Sequence, residues 1–350
     1  MAISETNAAG GIDVGGVLHP LALVTAESGC NGPQGVAAAN ALVDAGAVAV
    51  IGHTCSSASF SAQAIYNAAG IPMVCPSSTD VALTELGYTT TFRVAPRDDA
   101  QAIRLATLFR RALGMHRAAV VEPTSGSWYA PILTGAFSTT FTSLGGTVTS
   151  RRLVASTDDY TSTLTAIKLE DPDVIYYTDD DGTNAGSLSR VAHHLGMTDV
   201  AIAWDLHWAG EESLAAYEAA AGPAAEGDYA GVQWRRTEDM PGYGALNQDY
   251  QAAGFAEYGD EAHVWGALAY DAARIILAAI DRADSLDPAA IRDEIAATAN
   301  FHGVVATYRR FDAKGDAVPQ CICLASYRNG QWALVDLHTV NLPVVLSTRQ

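Results

Sequence analysis

From residue 36 onward, short runs of apolar, β-favouring residues alternate with helical stretches, and no other feature restricts so strongly what this 350-residue chain can fold into. The spacing predicts helices over 36–45, 57–69, 98–113, 129–144, 160–170 and 185–195, with a short one over 81–86. Between them it predicts strands over 47–51, 71–75, 118–121, 147–154, 174–177 and 200–204. A mostly apolar strand offers no face to water and must be covered on both sides, which is what intervening helices do in a parallel sheet. The pattern therefore reads as α/β and doubly wound. Past Glu212 it continues with a strand over 229–234, helices over 243–258, 263–283 and 288–297, and strands near 304–310, 322–327 and 332–337. A chain of this length exceeds what one hydrophobic core usually organises, so two lobes with a cleft between them are expected. No Pro/Gly-rich or low-complexity linker separates two halves, so the chain must cross between lobes more than once.

Composition narrows the function classes. Apolar residues make up 49%, charged residues 17%, and mean hydropathy is +0.09, which places the chain among folded proteins. With 39 acidic against 20 basic residues the net charge is −19, so phosphate backbones and anionic membrane surfaces are repelled and no nucleic-acid partner is expected. The greasiest helix, around 263–280, is broken by Asp271 and Arg274 and reads as a core helix rather than a membrane span. The first residues, Met1 to Asn7, carry neither the basic region nor the apolar stretch of a secretory signal. The cysteines, Cys30, Cys55, Cys75, Cys321 and Cys323, form no CxxC pair and have no histidine at metal spacing. A zinc site is not expected, and one disulfide remains possible.

In open α/β sheets ligands bind beyond the carboxyl ends of the strands. Three such places carry polar groups. After strand 47–51 comes Gly52-His53-Thr54-Cys55-Ser56-Ser57, where Ser56 and Ser57 are placed to cap the next helix while its free N–H groups face an anion. After strand 71–75 comes Pro76-Ser77-Ser78-Thr79-Asp80, a second cap before a second helix. Two helix starts and their hydroxyls, aimed at one spot, make a neutral pocket for a carboxylate; taken singly, each is also what an ordinary cap looks like. The third place is Trp204-Asp205-Leu206-His207-Trp208, where an acid between two tryptophans suits a ligand ammonium, or else caps a helix near Gly210. The acidic turn from Thr178 to Thr183 also follows a strand and reads either as a solvated face or as a cation site. Catalytic signatures are missing: there is no G-x-S-x-G elbow, P-loop, G-x-G-x-x-G after a strand or H-E-x-x-H. A Ser56, His53, Asp205 set has no motif behind it, so an α/β hydrolytic enzyme ranks third among the readings and no cofactor is expected.

Collinear strings then bring a family into view. Val50-Ile51-Gly52-His53-Thr54-Cys55-Ser56-Ser57, Gly70-Ile71-Pro72-Met73-Val74-Cys75-Pro76-Ser77-Ser78-Thr79 and Phe92-Arg93 are followed by Asp173-Val174-Ile175-Tyr176-Tyr177, Ala225-Glu226-Gly227 and Phe311-Asp312-Ala313-Lys314-Gly315-Asp316. In this order they resemble the leucine/isoleucine/valine-binding proteins of ABC transporters, from about Asn7 to Trp332. The resemblance implies a type I periplasmic binding protein: two α/β lobes joined by three crossovers that close on an amino acid. By position the crossovers fall near Arg97, Tyr229 and Ile322, giving a first lobe of 1–97 plus 230–322 and a second of 98–229 plus 323–350. The residues matching the family's carboxylate-binding hydroxyls are Ser56, Ser77 and Thr79, and the acid for the α-ammonium is Asp205, where relatives usually carry glutamate. The family's disulfide corresponds to Cys30–Cys55, which implies an oxidising compartment, the periplasm. The implied partners are a small amino acid or analogue and the permease subunits of a transporter, with the binding protein itself monomeric.

Departures from the family bear on the ligand. The aromatic cover falls at Trp128 or Tyr129, a second cleft tyrosine falls at Asp180, and where relatives have a phenylalanine of the apolar pocket the string is His263-Val264-Trp265. A branched-chain amino acid is the first expectation, with a polar or aromatic amino acid, an amide or an aromatic acid sensed on the same scaffold as alternatives. Only six residues precede Asn7 where relatives carry about a strand, a loop and half a helix. The first strand of the first lobe is therefore expected to be missing because the sequence begins downstream of the true start, the alternative being that a segment such as the strand-like 342–346 fills its place.

Overall fold

The computed structural model describes residues 1–124, 129–155, 159–179, 181–206, 211–232, 240–255, 263–320 and 322–335. The chain divides into two compact units, one built from 1–97 and 236–321, the other from 98–235 and 322–350.

In the first unit three parallel strands, Val50–Ile51, Met73–Cys75 and Thr91–Arg93, lie side by side in that order. The helices Gly32–Asp44 and Ser56–Ala69 bury Ala39, Leu42, Ala62 and Tyr66 against Val50, Met73 and Cys75. Val74, which alternation turns to the other face, is also fully buried, and the helix Val264–Ala283 packs on these strands with Leu268, Ile275 and Ile276 inside. The helices Gly32–Asp44 and Ser56–Ala69 cross closely because residue 35 is glycine: a Cβ there would stand 2.7 Å from the Ala58 carbonyl oxygen. A disulfide between Cys30 and Cys55 ties the segment before one helix to the start of the other. Among the described residues Val50–Ile51 is an edge strand of this sheet. An antiparallel hairpin, Ile12–Val14 with Val17–His19, follows the first helix, Ala2–Ala8.

The second unit is one seven-stranded sheet, in the order Gln331–Leu334, Cys323–Arg328, Tyr229–Val232, Ala201–Leu206, Val174–Thr178, Arg117–Pro123, Thr147–Val154. The strands from Tyr229–Val232 to Thr147–Val154 are parallel; the other two are antiparallel to their neighbours. Alternation divides each strand between two cores. Val174 and Tyr176 pack with Leu105, Leu133 and Phe137 of the helices Asp98–Thr107 and Ala130–Ser143. Ile175 and Tyr177 pack with Leu164, Leu188 and Tyr217 of the helices Thr161–Lys168, Gly182–His194 and Glu211–Ala221. The chain leaves Arg117–Pro123 over the first face and returns to Val174–Thr178 over the second, so the sheet's topological switch point lies between these two adjacent strands. The doubly wound α/β expectation holds in the fold.

Three local expectations are corrected. The helix over 98–113 is α-helical only as Asp98–Thr107 and widens into a π turn, Leu108–Ala112. Of 47–51 only Val50 and Ile51 pair as a strand. The strand over 304–310 breaks because buried Asp271 accepts the N–H groups of Val304 at 2.6 Å and Val305 at 3.0 Å, bending the chain into a turn. Phe301–His302 then pairs with Thr307–Tyr308 instead.

Candidate functional site

Each unit presents polar groups at the carboxyl ends of its parallel strands. In the first, the loops after Val50–Ile51 and Met73–Cys75 are knitted together. The Ser77 hydroxyl donates to the Thr54 carbonyl at 2.8 Å, and the Asp80 N–H donates to Ser56 Oγ at 3.3 Å. Beneath them the Ser78 hydroxyl donates to the His53 carbonyl at 2.9 Å and lies 2.6 Å from Ser59 Oγ, while His53 Nε2 lies 3.0 Å from the Tyr66 hydroxyl. Burial lowers the His53 pKa, so the ring is neutral at pH 7 and serves as a hydrogen-bonding strut. Ser56, Ser77 and Thr79 are thus brought into one loop cluster, with Ser77 and Thr79 buried.

The capping expectation is corrected in part. The helix Ser56–Ala69 has Cys55 at its N-cap and no side-chain cap, because Ser57 Oγ is turned to the Cys30 carbonyl at 2.8 Å and Ser56 Oγ to Asp80. Asp80 does cap the next turn, Val81–Thr84, accepting the Ala82 N–H at 2.8 Å.

An unforeseen element underpins this cluster. Arg93 is fully buried, and its Nε donates to Asp316 Oδ1 at 2.8 Å and its Nη2 to Thr84 Oγ1 at 3.0 Å. Its Nη1 reaches the carbonyls of Ser78 and Asp80, at 3.3 and 2.6 Å, so one guanidinium holds the backbone on both sides of Thr79. Burial pushes the Asp316 carboxyl up, but the charges of Arg93 and Arg97 outweigh it and hold the group below the usual range. Both residues stand in the strings that carried the family resemblance, yet nothing in sequence joins positions 223 residues apart.

In the second unit Asp205 lies in the strand Ala201–Leu206 with no exposed surface, and the Tyr176 hydroxyl donates to its Oδ2. Burial, then the Asp205 charge, raises the Tyr176 pKa, which keeps that hydroxyl protonated as the donor. Gly231 is the register partner on the other side, and a Cβ there would come within 2.6 Å of Asp205 Oδ1. In the acidic turn, Asp179 accepts from the Tyr177 hydroxyl at 2.5 Å and Asp181 caps the following helix through the Thr183 N–H at 2.8 Å. These acids serve the local backbone and core, and among the described residues no cluster of three metal-ligating groups occurs.

Of the remaining predicted positions, Tyr129 and His263 are among the described residues. Tyr129 is buried in the core beside Leu133 and Phe137. His263 is exposed and caps the helix Val264–Ala283, its Nδ1 accepting the Trp265 N–H at 3.5 Å. Trp128 and Asp180 lie outside the described residues.

Residues 1–331 match the periplasmic binding protein family. The chain belongs to that family. An amino acid binding protein of Pseudomonas aeruginosa is 33% identical over 201 residues, 56% of this chain and 51% of that protein. A leucine-, isoleucine-, valine-, threonine- and alanine-binding protein of the same organism is 27% identical over 90% of this chain and 80% of its own length. The crystal structure of a leucine binding protein from Thermotoga maritima superposes with a TM-score of 0.67 at 27% identity, covering 95% of this chain and 91% of that one. The matched stretch spans about half the length of the first of these relatives. These family members are solute-binding proteins rather than enzymes, and their fold is the one the strand and helix spacing predicts.

Proposed function

We propose that this periplasmic binding protein takes an amino acid, a branched-chain one first, and delivers it outside the cytoplasm to the permease subunits of an ABC transporter. The observation that carries this reading is the cross-linked pair of strand-end loops, in which Ser77 is bonded to Thr54 and Ser56 to Asp80. A carboxylate needs neutral donors held at fixed spacing: Ser56 Oγ accepts from the Asp80 N–H and so keeps its own proton to give, and the buried arginine fixes the backbone on both sides of Thr79 through the Ser78 and Asp80 carbonyls. We assign the α-carboxylate to Ser56, Ser77 and Thr79 and the α-ammonium to Asp205, with Trp128 or Tyr129, Asp180 and His263 as the further contacts. Two relatives named for amino-acid binding support the ligand class, and the Cys30–Cys55 disulfide supports an oxidising compartment.

The test is a thermal-shift screen of the 20 amino acids, small amides and aromatic acids. A ligand that binds the native state alone raises apparent stability by RT ln(1 + [L]/Kd), about 2.7 kcal/mol at a hundredfold excess over Kd. Leucine, isoleucine or valine should give the largest rise. A response confined to amides or aromatic acids would transfer the site to those ligands, and no response to any of them would overturn the proposal.

A further inference from the structure

We infer that Thr178 is a ligand-contacting residue, its hydroxyl accepting a hydrogen bond from the ligand's ammonium beside Asp205. The inference rests on the amino-acid reading above and names a contact that reading does not contain.

Thr178 closes the strand Val174–Thr178, one of the two strands that flank the sheet's switch point, where ligands of open α/β sheets bind. Its register partner is Asp205. Partners in adjacent parallel strands project to the same face about 4.8 Å apart. The Thr178 side chain therefore stands next to the Asp205 carboxylate, on the face that carries Tyr176.

Thr178 is fully buried, and Oγ1 has no hydrogen-bond partner. Buried hydroxyls are nearly always paired, because an unpaired one gives up its hydrogen bonds to water with nothing in return. Several of its polar neighbours are already engaged with other groups. Asp179 takes the Tyr177 hydroxyl and Tyr176 gives its proton to Asp205. On the flanking strand Glu122 is held by Thr134 Oγ1 at 2.7 Å and by Arg151 Nη2 at 2.6 Å. The acid expected to receive an ammonium thus has an uncommitted acceptor beside it. A primary ammonium carries three N–H donors, and one carboxylate cannot receive all three along good directions. A hydroxyl in this position supplies the second acceptor without adding charge.

Valine has the shape of threonine without its oxygen, so the substitution Thr178→Val separates a ligand role from a structural one. Replacing an unpaired buried hydroxyl by a methyl leaves the unliganded fold as stable as before or more so. If Thr178 receives the ammonium, T178V weakens leucine binding by about tenfold in isothermal titration. Binding of 4-methylpentanoate, in which hydrogen replaces the leucine amine, should be equally strong in T178V and in the parent protein, and Thr178→Ser should retain most of the leucine affinity. Unchanged leucine affinity in T178V, or equal losses for leucine and 4-methylpentanoate, would overturn the inference. Failure of the parent protein to bind any amino acid would overturn the amino-acid reading itself, and the two failures are read from different proteins.

Discussion

Arg93 and Asp316, 223 residues apart in the chain, form a buried ion pair at 2.8 Å whose arginine also holds the carbonyls of Ser78 and Asp80. Removing one partner of such a pair strands the other charge inside the protein, which costs about 3–5 kcal/mol. Asp316→Asn should lower stability by that amount in urea unfolding. If it still folds at low temperature, it should bind ligand more weakly, because the backbone flanking Thr79 loses its anchor. The Asp316 carboxyl is held below its ordinary value, so its contribution is complete above that value and is lost as pH falls through the lower folded one. Wild type and variant should accordingly converge in stability as the pH is brought below about 3.8.

Asp228 should behave in the opposite sense. It is buried, accepts from Ser189 and Tyr217 hydroxyls at 2.6 Å each and from the Ile202 N–H at 3.0 Å, and burial pushes its pKa up to about 7. Between pH 4 and 7 the folded state holds a proton that the unfolded state has released, so this group's contribution to stability falls as pH rises through that window. From the ordinary 3.8 to about 7, the full effect is about 4 kcal/mol. Asp228→Asn removes the titration, so the stability of wild type relative to D228N should rise on acidification from pH 7 to 4. A difference that stays flat across that range would show that Asp228 is ionised throughout.

Reduction should be felt mainly through Cys30–Cys55, which closes a loop with a sequence separation of 25. Chain-entropy arguments give a bridge of that span about 3.5 kcal/mol. The double variant Cys30→Ala, Cys55→Ala should unfold at correspondingly lower denaturant, with the start of the helix Ser56–Ala69 more readily opened. Thiol titration of the unfolded, unreduced chain should find at most three of the five cysteines free; a count of five would rule out the bridge.

The alternation of short apolar strands with helices, the strand-end loops and the ordered family strings were legible in the sequence because each is a local property of neighbouring residues. They identified the α/β fold, and they singled out Ser56, Ser77, Thr79 and Asp205 before any contact was known. Three things were decided only by the tertiary structure. Ser56 and Ser57 turned from capping to inter-loop bonds because Asp80 and Cys30 arrive from elsewhere in the chain. Arg93 found Asp316, and Asp271 bent the chain at Val304, through pairings that sequence distance conceals. Thr178 became notable because its buried hydroxyl is left without a hydrogen-bond partner beside Asp205, and hydrogen-bond accounts of buried groups close only when the whole sheet is assembled.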